Sequence, residues 1–348
     1  MVCFVSKTQG QNFEVTVDTI NISILDLMRR GTDIHLTHAI KFDQKYYVYF
    51  YEYFAVGMGS SKNHFFEISE NGNIKTLNDV RNSFYDDFFV KDNRIYLKAY
   101  WGGYSYYFNV KKEKWVKIKK LDDVIFEDEK FYVTYLDFGE WGSATWFRDK
   151  KTGIEYEVEG FTKINKVNDI YYLTSSTQVL AIKDPLKLMK CDKKKYYNKM
   201  KGNKLSIVKK EIKENGESYI VGVALGNSES LIGTEIVYQD TTYSRWSFEP
   251  PNIAIARSFV FNNQLFHLCT DSNYTFIAKI EDGKMIPVQI IGDKVRLSLS
   301  DNNHRGKSSN DDGLFRKFRT EDRNLFGFIE IYGNKIKMRY LKIVPICK

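Results

Sequence analysis

The stretch Asn93-Arg94-Ile95-Tyr96-Leu97-Lys98-Ala99-Tyr100 is a polar turn followed by an alternating strand. Close variants recur along the chain, and each follows a short apolar run and a turn. They lie at Lys45-Tyr46-Tyr47-Val48, Lys130-Phe131-Tyr132-Val133, Asp169-Ile170-Tyr171-Tyr172 and Gln264-Leu265-Phe266-His267. The repeating unit is therefore a β-hairpin, and the fold is expected to be all-β.

The spacing of these hairpins indicates the architecture. The first apolar residue after each turn recurs at intervals of 36 to 49 residues, close to the roughly 40–50 residues of a four-stranded β-propeller blade. These residues are Tyr46, Ile95, Phe131, Ile170, Tyr219 and Leu265. The remaining residues at the two ends fill two further intervals, so we expect seven blades, with six as the alternative. The strand at residues 13–18 is expected to pair into the C-terminal blade.

The repeats resemble the β-propeller superfamily over residues 34–345. The repeat pattern alone carries the resemblance, because the WD dipeptide and the double-glycine kelch signature are missing. The resemblance implies four-stranded antiparallel blades, which we expect to form one domain over residues 12–348. A shared fold of this kind does not transfer a function.

The N-terminus resembles the tail of a bacterial secretory signal. Met1-Val2-Cys3-Phe4-Val5 is apolar, and small and polar residues follow it up to Gln11. A complete signal also needs a basic region and about 7–15 apolar residues. We therefore interpret residues 1–11 as a signal remnant and expect export to the periplasm or cell surface. The alternative is a first strand in a cytoplasmic protein. No stretch approaches the roughly 18 apolar residues of a membrane span.

Composition favours a large core without a nucleic-acid partner. The chain has 24 Tyr and 25 Phe, and its net charge of +8 is spread along the 348 residues. Lysines cluster in residues 183–213, where Tyr196-Tyr197 is the sole aromatic interleaving, so we expect a solvated loop and an edge strand protected by lysines. None of the four cysteines lies in a CxxC pair, which favours free buried thiols.

The candidate binding residues lie on or near loops that join second to third strands. In a propeller of this topology those loops surround the mouth of the central channel. The set is Trp101, Asp137, Glu140, Trp141, Tyr243, Arg245, Trp246, His304 and Arg305. Aromatic rings can stack on a sugar ring, while carboxylates and guanidinium groups exchange hydrogen bonds with hydroxyls. The alternative role of Trp101 and Trp141 is to pack between blades as spacers.

The leading functional hypothesis is an exported propeller that binds a ligand, with carbohydrate as the first candidate, or a protein partner at the channel mouth. The second is a hydrolase or lyase acting on polysaccharide, because Asp137 and Glu140 could act as a carboxylate pair. The third is a structural module of a cell-surface assembly. Neither a metal nor a cofactor is expected, since His267 should pack inside a sheet and the chain has no GxGxxG, P-loop, GxSxG or HExxH motif.

Overall fold

The computed structural model describes most of the chain. It covers residues 13–23, 32–54, 62–80, 87–98, 104–118, 121, 124–137, 143–191, 208–214, 217–223, 231–241, 251–297, 314–320, 322 and 325–344. The described residues up to Leu121 and from Asp240 onward form one compact unit. Those between Asp122 and Gln239 form the other. Besides strands, the described residues contain short 3-10 turns at Val110–Lys112 and Pro185–Lys187.

Two blades follow the N-terminal strand β1 (Glu14–Ile22) in the first unit. Blade 1 consists of β2 (Thr32–Phe42), β3 (Lys45–Phe54), β4 (Lys62–Ser69) and β5 (Ile74–Leu77). Blade 2 consists of β6 (Asp87–Lys91), β7 (Arg94–Lys98), β8 (Ser105–Asn109) and β9 (Lys114–Ile118). In both blades each strand is antiparallel to the next.

The second unit holds blades 3 and 4. Blade 3 consists of β10 (Val124–Glu127), β11 (Phe131–Asp137), β12 (Ser143–Asp149) and β13 (Glu155–Glu159), with β17 (Met189–Cys191) as a fifth strand. Blade 4 consists of β14 (Lys163–Val167), β15 (Ile170–Thr174), β16 (Gln178–Ile182) and β20 (Glu235–Gln239). Between β17 and β20 lies the hairpin of β18 (Val208–Glu214) and β19 (Glu217–Val223), which pairs with no other strand among the described residues.

The last two blades belong to the first unit. Blade 5 consists of β21 (Ala254–Phe261), β22 (Gln264–Thr270), β23 (Tyr274–Glu281) and β24 (Lys284–Asp293). Blade 6 consists of β25 (Arg296–Leu297), β26 (Leu314–Arg319), β27 (Leu325–Tyr332) and β28 (Lys335–Ile343). Strand β1 joins blade 6 as a fifth strand, parallel to β28. The expectation that the N- and C-terminal strands share one sheet is confirmed.

The described strands therefore make six β-propeller blades, and the prediction of seven is wrong. Five of the six aligned repeat positions do begin second strands of blades. The exception is Tyr219, which lies in β19 of the separate hairpin. The fourth strand of blade 4 begins only at Glu235. The long segment before that strand therefore has the length expected of an additional repeat.

Tight hairpin turns set the register of the blades. Among the described residues, five two-residue turns have positive φ at both central residues, which is the geometry of a type I′ turn. They are Asp43-Gln44, Asp92-Asn93, Asn168-Asp169, Asn262-Asn263 and Asp282-Gly283. Asn, Asp and Gly tolerate this conformation best, and its twist matches that of the flanking strands.

Neighbouring blades within each unit pack through apolar cores. In the first unit one core joins blades 1 and 2, another joins blades 6 and 1, and a third joins blades 5 and 6. In the second unit one core joins blades 3 and 4. Aromatic rings fill much of this space: Tyr46 stacks on Phe328 at a centroid distance of 4.8 Å across the interface of blades 1 and 6.

Candidate functional site

The residues selected from the sequence as binding candidates are largely outside the described part of the chain. Asp137 ends β11, and its backbone pairs with Ser143 at the start of β12. The other eight lie outside the described residues: Trp101, Glu140, Trp141, Tyr243, Arg245, Trp246, His304 and Arg305. Their shared location remains a prediction.

The described residues of the first unit do form an open groove. It lies where the turn between β2 and β3 meets the turn between β27 and β28, with β1 alongside. Its volume is about 510 Å³. The lining residues are Glu14, Thr16, Lys41, Gln44, Glu330, Tyr332, Lys335, Ile336 and Lys337. The groove is at the opposite end of β3 from the loop that joins β3 to β4, so it is not the rim expected from the sequence.

A buried carboxylate anchors one wall of this groove. Glu330 on β27 is 2% exposed and accepts hydrogen bonds from two side chains of blade 1. Lys41 Nζ lies 2.6 Å from Glu330 Oε2, and the Tyr46 hydroxyl donates to Glu330 Oε1. Lys41 also lies 3.1 Å from Glu70 Oε1. The carboxylate is thus both charge-compensated and hydrogen-bonded, as burial requires.

A second set of ion pairs continues the network beneath the groove. Arg339 is 2% exposed, and its Nε donates to Asp18 Oδ1 on β1 over 3.0 Å. Lys337 Nζ lies 3.2 Å from the other oxygen of Asp18. The Arg339 guanidinium also lies 5.4 Å from the centre of the Tyr46 ring. These contacts fix β1 to β28 by side chains as well as by backbone hydrogen bonds.

The network sets the protonation of its members. Burial alone would lower the pKa of Lys41, but the hydrogen bonds and charges of Glu330 and Glu70 raise it on balance. Burial, together with the hydrogen bond to Glu330, raises the pKa of Tyr46 well above its usual value. Lys41 therefore stays cationic and Tyr46 stays neutral across the physiological range, which makes both of them donors to Glu330.

The same arrangement recurs between blades 3 and 4. Lys166 and Tyr171 face each other across their hairpin as Lys41 and Tyr46 do. Both donate to Asp128, which follows β10 of the preceding blade; the Lys166 bond is 2.9 Å and the Tyr171 bond is 2.5 Å. We call each Lys–Tyr–carboxylate set a latch. In blades 2 and 5 the corresponding hairpin pairs are apolar, Val90 with Ile95 and Val260 with Leu265.

The groove offers a mixed set of contacts to a ligand. Tyr332 is 46% exposed and stands beside Lys41, whose Nζ is 5.8 Å from the ring centre. Lys335 and Gln44 add exposed polar groups, and Glu14 adds a carboxylate. The sequence did not identify these residues, because the candidate set was confined to loops that join second to third strands. Lys335 and Lys337 alternate on β28, and this pattern could have indicated a polar face of the strand at this place.

Other buried polar groups serve packing. His267 is 1% exposed, burial lowers its pKa to about 3, and Ser258 Oγ lies 2.8 Å from its Nδ1. Cys269 is a buried free thiol, and burial raises its pKa. Both findings confirm the expectation for these two positions. Within the described residues, no group of three or more His, Cys, Asp or Glu side chains is arranged to hold a metal. No helix among them has the length and apolar character of a membrane span.

Comparison with known proteins leaves the family open. No family model matches the sequence, and no curated protein matches it. Among solved structures, the β-propeller domain of the Trilobed protease from Pyrococcus furiosus is 12% identical, with a TM-score of 0.36, over 88% of this chain and 97% of that one. The extracellular domain of BT4673 from B. thetaiotaomicron is 9% identical, with a TM-score of 0.32, over 94% and 40%. A catalytically inactive virginiamycin B lyase from Staphylococcus aureus is 10% identical, with a TM-score of 0.30, over 92% and 88%. The fold assignment rests on the strand pairing.

Proposed function

We propose that this chain is a non-catalytic binding propeller and that carbohydrate is its ligand. The observation that supports the proposal is the groove beside Tyr332. An exposed aromatic ring gives a sugar a stacking surface, and the flanking Lys335 and Glu14 supply a donor and an acceptor for hydroxyl groups. Glu330 is held by Lys41 and Tyr46, which favours a structural role for this carboxylate over a catalytic one.

A glycan array with the purified protein tests the ligand class, and variants then locate the site. Tyr332→Ala should weaken binding by tenfold or more, about 1.4 kcal/mol. Tyr104→Ala is the matched control, because Tyr104 is also exposed but lies on blade 2. If Trp101→Ala or Trp141→Ala weakens binding and Tyr332→Ala does not, the site is the predicted channel rim. An array without binding, or turnover of a bound polysaccharide, would contradict the proposal.

We also propose export, with residues 1–11 as the remnant of a cleaved signal. Expression from the native upstream start, followed by intact-mass measurement of the mature protein, tests this. We expect a chain that begins near Gln11, since small residues precede the cleavage site of a secretory signal. A mature protein that begins at Met1 would exclude cleavage within this segment.

A further inference from the structure

The outer edge of β1 is open in the folded protein. In the sheet of blade 6, β1 stands at one end and pairs only with β28 among the described strands. The backbone N–H of Glu14 donates to the carbonyl of Asn334 over 2.8 Å, so the even-numbered residues of β1 direct their backbone groups toward β28. The odd-numbered residues Val15, Val17 and Thr19 therefore direct theirs toward the other edge. Within the described part of the chain, no backbone group bonds to that edge.

The open edge has a defined end and is accessible to solvent. Beyond Thr19 it is closed by the turn between β4 and β5, because a Cβ on Gly72 would lie 3.0 Å from the carbonyl oxygen of Asn21. Before that point the strand is exposed: the side chain of Val17 is 58% exposed, and Thr19 is exposed as well. The stretch that can accept another strand therefore runs from Val15 to Thr19.

The other blades of the first unit protect the corresponding edge. Strand β5 of blade 1 has only four residues, and β9 of blade 2 carries Lys114 and Lys117. Strand β24 of blade 5 contains Pro287 and two register shifts. Short strands, lysines, prolines and bulges all hinder the addition of another strand. Strand β1 has nine residues, contains neither Lys nor Pro, and keeps a continuous register with β28. Its edge is thus the best suited of the four to strand addition.

A second copy of β1 fits this edge poorly. If the two strands paired with Val17 opposite Val17, Phe13 of the copy would meet the turn at Gly72, which closes the edge. If the pairing moved two residues away from that turn, Glu14 would lie opposite Asp18 of the copy. Like charges directly opposite each other destabilise a pair of strands. A short extended segment of a different protein has neither difficulty.

We propose that the edge Val15–Thr19 binds an extended peptide segment of a partner protein, which adds to blade 6 as an antiparallel strand. Backbone hydrogen bonds supply the affinity in this mode of recognition, and the flanking side chains supply the specificity. The proposal goes beyond carbohydrate binding. It uses the backbone edge of β1, whereas the groove is lined by the side chains of Glu14 and Thr16 on one face of that strand.

The side chains of β1 define the peptide that would fit. The peptide residue opposite Val17 lies beside an exposed apolar side chain, so an apolar residue is favoured there. The third residue after it lies opposite Glu14, on the other face of the strand, where Lys or Arg would pair with the carboxylate. Asp18 needs no such partner, because Lys337 and Arg339 already neutralise it. The expected segment therefore reads apolar, two further residues, then Lys or Arg.

Fluorescence anisotropy with the labelled heptapeptide Thr-Thr-Val-Thr-Val-Lys-Thr and the full chain tests the proposal. This probe is designed to place its first Val opposite Val17 and its Lys opposite Glu14, and it should bind saturably. N-methylation of the first Val removes the N–H that would donate to the carbonyl of Val17, and it should weaken binding tenfold or more. N-methylation of the Thr that follows is the matched control, because that N–H would point away from β1 and the affinity should not change.

Two variants of the chain locate the bound peptide. Val17→Pro removes an N–H that faces the open edge, a position where a strand tolerates proline, so Tm should stay near that of the wild type while peptide binding is lost. Glu14→Lys should weaken binding of the Lys peptide and strengthen binding of the same peptide with Glu in place of Lys. If Val17→Pro fails to fold, the two N-methylated peptides still decide the question on the wild-type protein.

The proposal is overturned if the heptapeptide does not bind, if the two N-methylated peptides bind equally well, or if folded Val17→Pro binds normally. Sedimentation velocity of the wild type and Val17→Pro examines the competing occupant. Both proteins should sediment as monomers through this edge. A dimer of the wild type that Val17→Pro dissociates would assign the edge to a second copy of the chain and would also overturn the proposal.

Discussion

At the scale of single residues, His267 links the stability of the fold to pH. Burial keeps this imidazole neutral in the folded protein, with a pKa of about 3, whereas an unfolded histidine titrates near its ordinary value of about 6.5. Between these two values the unfolded chain binds one proton more than the folded chain. Stability therefore falls as pH falls through this window, by up to about 1.4 kcal/mol per pH unit from this group.

Replacing His267 with Gln should remove the contribution of this group to the pH dependence of stability. Urea unfolding at pH 7, 5.5 and 4.5 measures it, and the midpoint of His267→Gln should decline less steeply with acid than that of the wild type. His35→Gln is the control, since it removes a histidine from an exposed position on β2. If the unfolding midpoints of the wild type and His267→Gln decline equally with acid, His267 binds its proton as readily in the folded protein as in the unfolded chain.

The burial of a residue was predictable from the sequence where it depends only on the alternation of side chains along a strand. His267 and Cys269 occupy the same side of one apolar strand, and both are buried as expected. Tyr332 was not identified, because its exposure depends on how the turn after β27 meets the turn after β2. Those turns are far apart in the sequence, and no local sequence pattern indicates that they lie side by side.

At the scale of elements, the latch between blades 3 and 4 gives a sharp prediction. Burial would raise the pKa of Asp128, but hydrogen bonds from Tyr171, Lys166 and the backbone lower it on balance. The charged carboxylate thus stabilises the fold above its unfolded pKa of about 3.9, and the gain is lost as pH falls through the folded value. Asp128→Asn should cost about 2–4 kcal/mol at pH 7, because it weakens two hydrogen bonds to a charged group.

Asp169→Asn provides a matched control for the latch. Asp169 also pairs with Lys166, at 3.2 Å, but its side chain is 83% exposed, so solvent screens the interaction. Denaturant unfolding of both variants should show a large loss for Asp128→Asn and almost none for Asp169→Asn. Equal losses would mean that the charge on Lys166 matters and the buried geometry of Asp128 does not.

Hairpins were the elements that sequence predicted best, since Asn, Asp and Gly at the turns act locally. Strand β26 has no clear sequence pattern of a strand, because Arg316 and Lys317 interrupt its apolar residues. Arg316 is nevertheless buried, and Lys317 Nζ donates to the carbonyl of Leu36 on β2 over 3.4 Å. Contacts with neighbouring blades allow these cationic residues to occupy a central strand, and such contacts cannot be read from the local sequence. The latches had a readable signal, namely Lys and Tyr at the same spacing around the turns after β2 and β14.

At the scale of the whole molecule, the segment between β17 and β20 is an insertion within blade 4. Its strands β18 and β19 pair only with each other among the described residues. Its flanks are close together: a Cβ on Gly233, where φ is +76°, would lie 2.7 Å from the carbonyl oxygen of Lys187. The two ends of the insertion are therefore close together in space.

Residues 192–230 should be replaceable by a Gly/Ser linker of about eight residues, which reaches about 15 Å on average. We expect Tm to change by less than about 4 °C, because β20 still completes blade 4. A longer deletion that also removes β20 should lower Tm strongly. Circular dichroism melts compare the two variants, and a large loss for the shorter deletion would show that the insertion supports the blades.

This insertion also explains the error in blade number. Repeat spacing counts every hairpin of the right length, and the β18–β19 hairpin satisfies the spacing as well as a blade does. Pairing to neighbouring strands distinguishes the two cases, and it involves residues separated by the whole insertion, such as Gln178 and Gln239. The all-β class and the four-strand unit followed from local periodicity, whereas the number of blades required non-local contacts.

The parallel pairing of β1 with β28 has a consequence for biosynthesis. The hydrogen bond from the Thr16 hydroxyl to the carbonyl of Ile336 spans 320 positions. On the ribosome, β1 emerges before β28 and cannot form this pairing until the segment of about 320 residues between them has been translated. During that interval it is an unpaired strand that other nascent chains could capture. Its acidic residues Glu14 and Asp18 place charge on that waiting strand, which disfavours capture until Lys337 and Arg339 arrive to neutralise Asp18.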